Sequence, residues 1–283
     1  MNIRNGPSGI APLGDLNFVN VSILDNTIHD IYQSCSETPA YLGSCTGVGF
    51  GDSESSGYDH IDGIQAYGST GLQIRRNKFY LQGGHRQGIF LQQANGAGGS
   101  CSTDPPATFR DVAITDNFMT RTTDNAISIA GPGTNVFCGY VYILHNTNLG
   151  NLVIYNGVVA AGTPVVIANN LLEAQAGNQS GGGCAGMTYG GGSTLPVTWS
   201  KNLQGNTGPC PGDLSPGGTA TFVQRSWPGG GGSSSTGDPD LHLAAGTQPG
   251  GVIAGGNGTY CTATDVDGQN RDCGVPDVGA DKR

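Results

Sequence analysis

The chain has 283 residues, 50 of them Gly, with 12% charged residues and a formal net charge of -9 at a sequence pI near 4.7. Sparse charge and abundant glycine oppose a helical protein. The acidic balance excludes nucleic acid or an anionic membrane as the partner of the whole surface, while leaving room for an acidic sugar polymer on a local basic patch.

In chain order, one unit returns six times. It reads V-S-I-L-D-N ending at Asn26, L-Q-I-R-R-N at Asn77 and V-A-I-T-D-N at Asn117. It continues as V-Y-I-L-H-N at Asn146, V-V-I-A-N-N at Asn170 and V-T-W-S-K-N at Asn202. Alternation such as Val21/Ile23, Leu72/Ile74 and Val141/Ile143 has the period of a strand with one buried face. Asn at a fixed place after each strand suits a tight turn, and stacked Asn side chains can form an amide ladder. Consecutive Asn residues of the set lie 24 to 51 residues apart. The shortest interval is about one coil of a solenoid of parallel strands, and the excess is inserted loop.

A second strand family interleaves with the first: D-G-I-Q-A at 62–66, Q-G-I-F-L at 87–91 and N-A-I-S-I at 125–129. Aligning Ile64, Ile89 and Ile127 as inward residues sends Gln65, Phe90 and Ser128 outward. The same register stacks Asp62, Gln87 and Asn125 at the preceding corner. Beside them come Ile61, Arg86 and Asp124, then His60, His85 and Thr123. Insertions at roughly 33–58 and 94–110 flank these layers, and insertions on repeat proteins often cluster on the binding face. The domain reading is a body over 1–237 and a C-terminal cap of the same domain over 238–283.

The eight Cys residues show no C-x-x-C spacing, which disfavours zinc and redox motifs. Scattered Cys in loop-rich sequence favours disulfides and an oxidising compartment. Neighbour pairing gives the expectation Cys35–Cys45, Cys101–Cys138, Cys184–Cys210 and Cys261–Cys273. No transmembrane run or signal peptide is evident, so the chain reads as secreted with its signal removed, or as an excised piece. A monomer is expected.

The strand-Asn units, H-I-D-G-I-Q at 60–65, and the tail D-P-D-L-H-L … D-V-D-G-Q-N-R … D-V-G-A together resemble secreted bacterial right-handed parallel β-helix proteins of the pectate-lyase-like superfamily. The resemblance covers nearly the whole chain and implies an all-β, single-stranded right-handed parallel β-helix, or β-solenoid, with long inserted loops. It implies a carbohydrate-active role, since that superfamily includes polysaccharide lyases, glycoside hydrolases and alginate epimerases. Fold analogy alone does not choose among them.

The densest chemistry lies at Tyr58, Asp59, His60 and Asp62, with His85 and Arg86 one layer away. Removing the proton beside a uronate carboxylate needs a base, a proton donor and a positive group for the developing dianion. His60 and His85 suit the proton transfers near neutral pH, and Arg86 suits the carboxylate. The expected catalytic set is therefore His60, His85, Arg86, Tyr58 and Asp62. The expected substrate-binding set is Asp59, Gln65, Tyr67, Arg75, Phe90, Gln92 and Asp124. Each residue has a plainer alternative: Asp62 capping a turn, the His pair stacking at a corner, Arg86 pairing with Asp124, or the aromatics lying under loops.

Arg75, Arg76, Lys78 and Arg86 form a positive patch or else a solvated turn. Lyase is the leading activity, acting by β-elimination on an acidic polysaccharide. A hydrolase would draw on Asp59, Asp62 and Asp124; an epimerase or a non-catalytic polysaccharide-binding solenoid completes the alternatives. No cofactor is fixed. Calcium remains open, because Asp265-Val266-Asp267-Gly268 offers oxygen ligands. The other reading of that segment is a turn pinned by an Arg271–carboxylate pair and the Cys261–Cys273 bridge.

Overall fold

The computed structural model describes residues 2–3, 19–29, 62–81, 87–92, 109–120, 125–130, 136–172, 176–178, 194–204, 210–214, 220–224, 239–246, 248–249 and 251–282. These residues are all-β, built on three parallel sheets. The first sheet holds seven strands in the order β1 (Asn2–Ile3), β3 (Thr27–His29), β6 (Lys78–Tyr80), β9 (Phe118–Met119), β12 (Thr147–Asn148), β15 (Leu171–Leu172) and β18 (Leu203–Gln204). The second holds β4 (Asp62–Ala66), β7 (Gln87–Gln92), β10 (Asn125–Ala130), β13 (Asn151–Ile154) and β16 (Ala176–Asn178). The third holds β2 (Ser22–Leu24), β5 (Ser69–Arg75), β8 (Phe109–Thr115), β11 (Phe137–Leu144), β14 (Val165–Ala168) and β17 (Val197–Ser200). From β2 to β18 the chain visits third, first and second sheet in fixed rotation, one layer per round.

Apolar columns hold the layers in register. In the third sheet Ile23, Ile74, Ile114, Ile143, Ile167 and Trp199 are consecutive partners. In the second, Ile64, Ile89, Ile127 and Leu152 are partners. These residues share one core cluster with Ile28, Phe79, Met119 and Leu172 of the first sheet, so the core lies between the three sheets. Each such side chain contributes roughly 1.5–3 kcal/mol by leaving water. Slipping a strand by one residue would turn its whole column outward.

The third sheet passes to the first through two residues in every layer. The first of them has a left-handed backbone: Asp25, Arg76, Asp116, His145, Asn169 and Lys201 all have φ between 53° and 58°. The second is Asn26, Asn77, Asn117, Asn146, Asn170 or Asn202. Each of the first five donates its backbone N–H and its Nδ2 to the Oδ1 of the next Asn, at 2.8–3.1 Å. Asn202 ends the ladder on Asp213 Oδ1, at 3.1 Å from N and 2.7 Å from Nδ2.

Outward residues of the first sheet from β9 onward are also buried. Phe118, Leu171 and Leu203 lie under Leu241, Leu243, Val252, Val266, Val278 and Ala280 of the C-terminal segment. This segment includes β20 (Asp240–Leu243), paired antiparallel with β19 (Phe222–Gln224). Its backbone comes so close at Gly279 (φ 98°) that a Cβ there would lie 2.7 Å from Leu171 Cδ1 and 2.8 Å from Thr147 Oγ1. Only glycine fits that approach.

Cys261 and Cys273 are bridged with Cα atoms 5.4 Å apart, as neighbour pairing predicts. Cys138 and Cys210 are also disulfide-bonded, with partners outside the described residues. The pair Cys35–Cys45 lies outside them too. Replacing both Cys261 and Cys273 with Ala is expected to cost about 3 kcal/mol, from the chain entropy of a short closed loop. Urea unfolding of the double variant checks this, and no change in midpoint would show that packing alone holds the segment.

Candidate functional site

Of the sequence-predicted site residues that are described, Asp62, Gln65, Phe90 and Gln92 lie on the second sheet. Asp62, Gln87, Asn125 and Asn151 are register partners at the start of β4, β7, β10 and β13. All but Asn151 are buried, and Asp62 is fully enclosed. Gln65, Phe90 and Ser128 are partners on the outer face, as alternation predicts. That face is not open throughout: Phe90 is 6% exposed and Ser128 is wholly buried. Gln65, Tyr67 and Gln92 keep partial exposure. Tyr58, Asp59, His60, His85, Arg86 and Asp124 lie outside the described residues. In the chain, Arg86 and Asp124 immediately precede the aligned Gln87 and Asn125.

The described residues of the basic cluster form ion pairs rather than a free patch. Arg75 stands at the end of β5 in the third sheet, not on the second. Its Nε lies 3.3 Å from Asp116 Oδ2, and its Nη2 donates to Thr264 Oγ1 at 2.7 Å. Arg76 makes a two-pronged pair with Asp25, both bonds 2.6 Å long. Lys78 Nζ donates to Asp267 Oδ1 at 2.6 Å. Arg86 lies outside the described residues, so three of the four predicted patch residues are seen, each already facing a carboxylate.

The turn residues preceding the Asn ladder form a second polar line, which the C-terminal segment covers at Asp116 and Asn169. Arg271, its side chain fully buried, pairs with buried Asp116 at 3.1 Å. It also donates to the carbonyl oxygens of Asp277, Ala280 and Asp281. This is the Arg–carboxylate pair expected to pin the D-V-D-G segment, but its acid lies on a turn 155 residues away. Within the segment, Asp265 Oδ1 accepts from the Asp267 and Gln269 amides at 3.0 and 2.7 Å. Thr262 donates to Asp116 at 2.5 Å, and Asn169 Oδ1 accepts from the Asn257 amide at 2.7 Å.

Burial pushes the Asp116 carboxyl up to about 6 despite the opposing pull of Arg271. Burial also drives His145 down to about 3, with Arg271 adding to the effect, so its ring is neutral. His145 Nε2 lies 2.9 Å from the Asn169 amide nitrogen, so Nε2 accepts that bond and the proton sits on Nδ1.

Arg271→Ala is expected to cost about 3 kcal/mol near neutral pH, because buried Asp116 loses its ion-pair partner and must either stay charged uncompensated or take up a proton. Asp116 has a folded-state pKa above its unfolded value of 3.8. Its contribution is therefore fully present below 3.8 and is lost as pH rises through about 6. Without Arg271 that pKa rises further, so the cost of the substitution grows as pH rises above about 6, from the folded value of the wild type toward that of the variant. Melting curves of both proteins over a pH series check it; a gap that stays constant with pH would refute the assignment.

One further group of ionisable residues meets on the C-terminal segment. His242 on β20 is bracketed by carboxylates, Nδ1 against Asp240 and Nε2 2.5 Å from Asp267 Oδ2. The Phe118 ring meets His242 edge-on, with centroids 5.2 Å apart. Burial opposes a charged His242 ring, but the bonds to Asp267 and Asp240 prevail and raise its pKa. Ligand atoms of His242, Asp267 and Asp281 lie within 4.8 Å of one another. Among the described residues this is the group able to hold a metal ion. D-P-D-L-H-L and D-V-D-G are visible as motifs in the sequence, but their meeting is not.

Compared with known proteins, the chain matches no family model, no curated protein and no solved structure.

Proposed function

We propose that the protein is a secreted, right-handed parallel β-helix of the pectate-lyase-like kind that cleaves a uronate-containing polysaccharide by β-elimination. The observation that supports this most is the alignment of Asp62, Gln87 and Asn125 at one end of the second sheet. Arg86 and Asp124 directly precede two of those positions, and His60 and His85 each lie two residues before a strand start in the sequence. Such an arrangement supplies the parts that elimination requires. A base removes the C5 proton, the C4–O4 bond breaks, a C4=C5 double bond forms, and an acid protonates the departing oxygen. Arg86 offsets the charge gathering on the carboxylate. Gln65, Tyr67 and Gln92 keep surface for sugar hydroxyls, beside Phe90 on the same outer face as Gln65. The disulfides fit an oxidising, extracellular setting.

The test is incubation with a panel of uronate polymers, followed by ultraviolet absorbance of the unsaturated product and a reducing-end assay. Both signals together are expected. Reducing ends without unsaturation would replace the proposal with hydrolysis, and binding without product would replace it with a binding module.

A further inference from the structure

We propose that His242, Asp267 and Asp281 form a site for one divalent transition-metal ion of the zinc class. The site lies over the outer face of the first sheet and takes no part in the proposed cleavage. Three separate pieces of chain build it: β20, the D-V-D-G turn and the end of the C-terminal segment.

The donors are chemically suited to such an ion. One imidazole nitrogen and two carboxylate oxygens form a mixed nitrogen–oxygen set, which favours zinc-like ions over calcium, an ion that takes oxygen alone. Their ligand atoms already lie within 4.8 Å of one another. Donors about 2.0–2.1 Å from zinc in a tetrahedron stand roughly 3.3 Å apart, so small side-chain movements suffice. The ion takes the place of the proton between His242 Nε2 and Asp267 Oδ2, and that proton leaves to solvent. Lys78 need not move, because it holds the other oxygen of Asp267. Asp240, on Nδ1, fixes the ring orientation and tautomer as a carboxylate behind a ligating histidine does.

Two observations beyond the proximity of these groups point to a ligand. Asp281 is 5% exposed, yet among the described residues its side chain accepts a single hydrogen bond, from the Leu243 amide at 2.9 Å. That leaves its other oxygen available to an ion. Asp265 is wholly buried with its Oδ2 unpartnered, and its charge acts on Asp281. Four carboxylates, Asp240, Asp265, Asp267 and Asp281, thus stand on this part of the segment with Lys78, His242 and Arg271. Three protein ligands leave the fourth position for water, and His242 at 33% side-chain exposure leaves a path to it.

The experiment is calorimetric titration of the full chain with zinc chloride, and separately with calcium chloride, alongside His242→Gln and Asp281→Asn. Circular dichroism confirms that each variant is folded. One zinc per chain is expected, with a rise in melting temperature on binding. Each variant is expected to weaken zinc at least tenfold. Asp281→Asn keeps an acceptor for the Leu243 amide, so it separates ligation from folding. No zinc uptake, uptake undiminished in both variants, or calcium bound as tightly as zinc would overturn the proposal. None of these outcomes bears on whether uronate polymers are cleaved.

Discussion

Asn146→Ala is expected to lower stability by about 5 kcal/mol, read from urea unfolding at neutral pH. Asn146 is fully buried at the middle of the ladder. Its Nδ2 is shared among Ile114 O at 2.9 Å, Leu144 O at 3.2 Å and Asn170 Oδ1 at 3.0 Å. Its Oδ1 accepts from the Asn117 backbone N–H and Nδ2, at 3.1 and 2.9 Å. Alanine removes all five contacts, while Leu144 O, Asn170 Oδ1 and Asn117 Nδ2 each keep another bond. At about 1 kcal/mol for each lost bond, the sum approaches the upper range for single substitutions.

Asn26 supplies the internal comparison. It donates twice to Asn77 Oδ1, and among the described residues no amide above it depends on its own oxygen. Asn26→Ala should therefore cost only about 1–2 kcal/mol. Asn146→Asp should be at least as damaging as Ala, because a carboxylate would face the Ile114 and Leu144 carbonyls. Equal losses at Asn26 and Asn146 would show that each Asn serves only its own turn.

The ladder was legible in the sequence because two signals coincide on every repeat: period-two alternation ending in an inward residue, then Asn at a constant offset. The register of the second sheet was legible for the same reason, from D-G-I, Q-G-I and N-A-I. Its tightness also has a visible cause. Gly63 has Gly88 O 2.6 Å from where a Cβ would sit, so bulk is excluded there.

What lies over a face was not legible. Alternation assigns Phe90 and Ser128 to the outer side but says nothing of what encloses them. Nor did spacing reveal that Arg75, Arg271 and Asp116 meet, since contacts between turn and tail follow from how the C-terminal segment crosses the layers. A polar residue precedes the ladder Asn in all six units, and that regularity was the available clue. It marks the left-handed position, and at Arg76, Asp116 and Asn169 it also marks groups that bond the C-terminal segment. The meeting of His242 with Asp267 belongs to the same class of event: two turn-rich motifs joined by packing on the first sheet, with no periodicity to announce it.

The largest effect on activity is expected at the residues flanking the second sheet. If His60 and His85 exchange protons with the sugar, His60→Ala and His85→Ala should each lower turnover about 10²–10⁴-fold, the usual range for a lost acid or base. Arg86→Ala should act differently. Its guanidinium is proposed to hold the uronate carboxylate, so its loss should fall chiefly on kcat/KM for acidic polymers and less on melting temperature. Asp62 separates site from scaffold, because it is fully buried at the same aligned corner. Asp62→Asn preserves its size and one acceptor, so a structural Asp62 predicts a lowered melting temperature with turnover scaling to the folded fraction. A chemical Asp62 predicts lost turnover with melting unchanged. Thermal melts of every variant keep the two readings apart. Full activity in His60→Ala, His85→Ala and Arg86→Ala, with melting unchanged, would mean that these are corner residues and that cleavage, if present, is carried elsewhere.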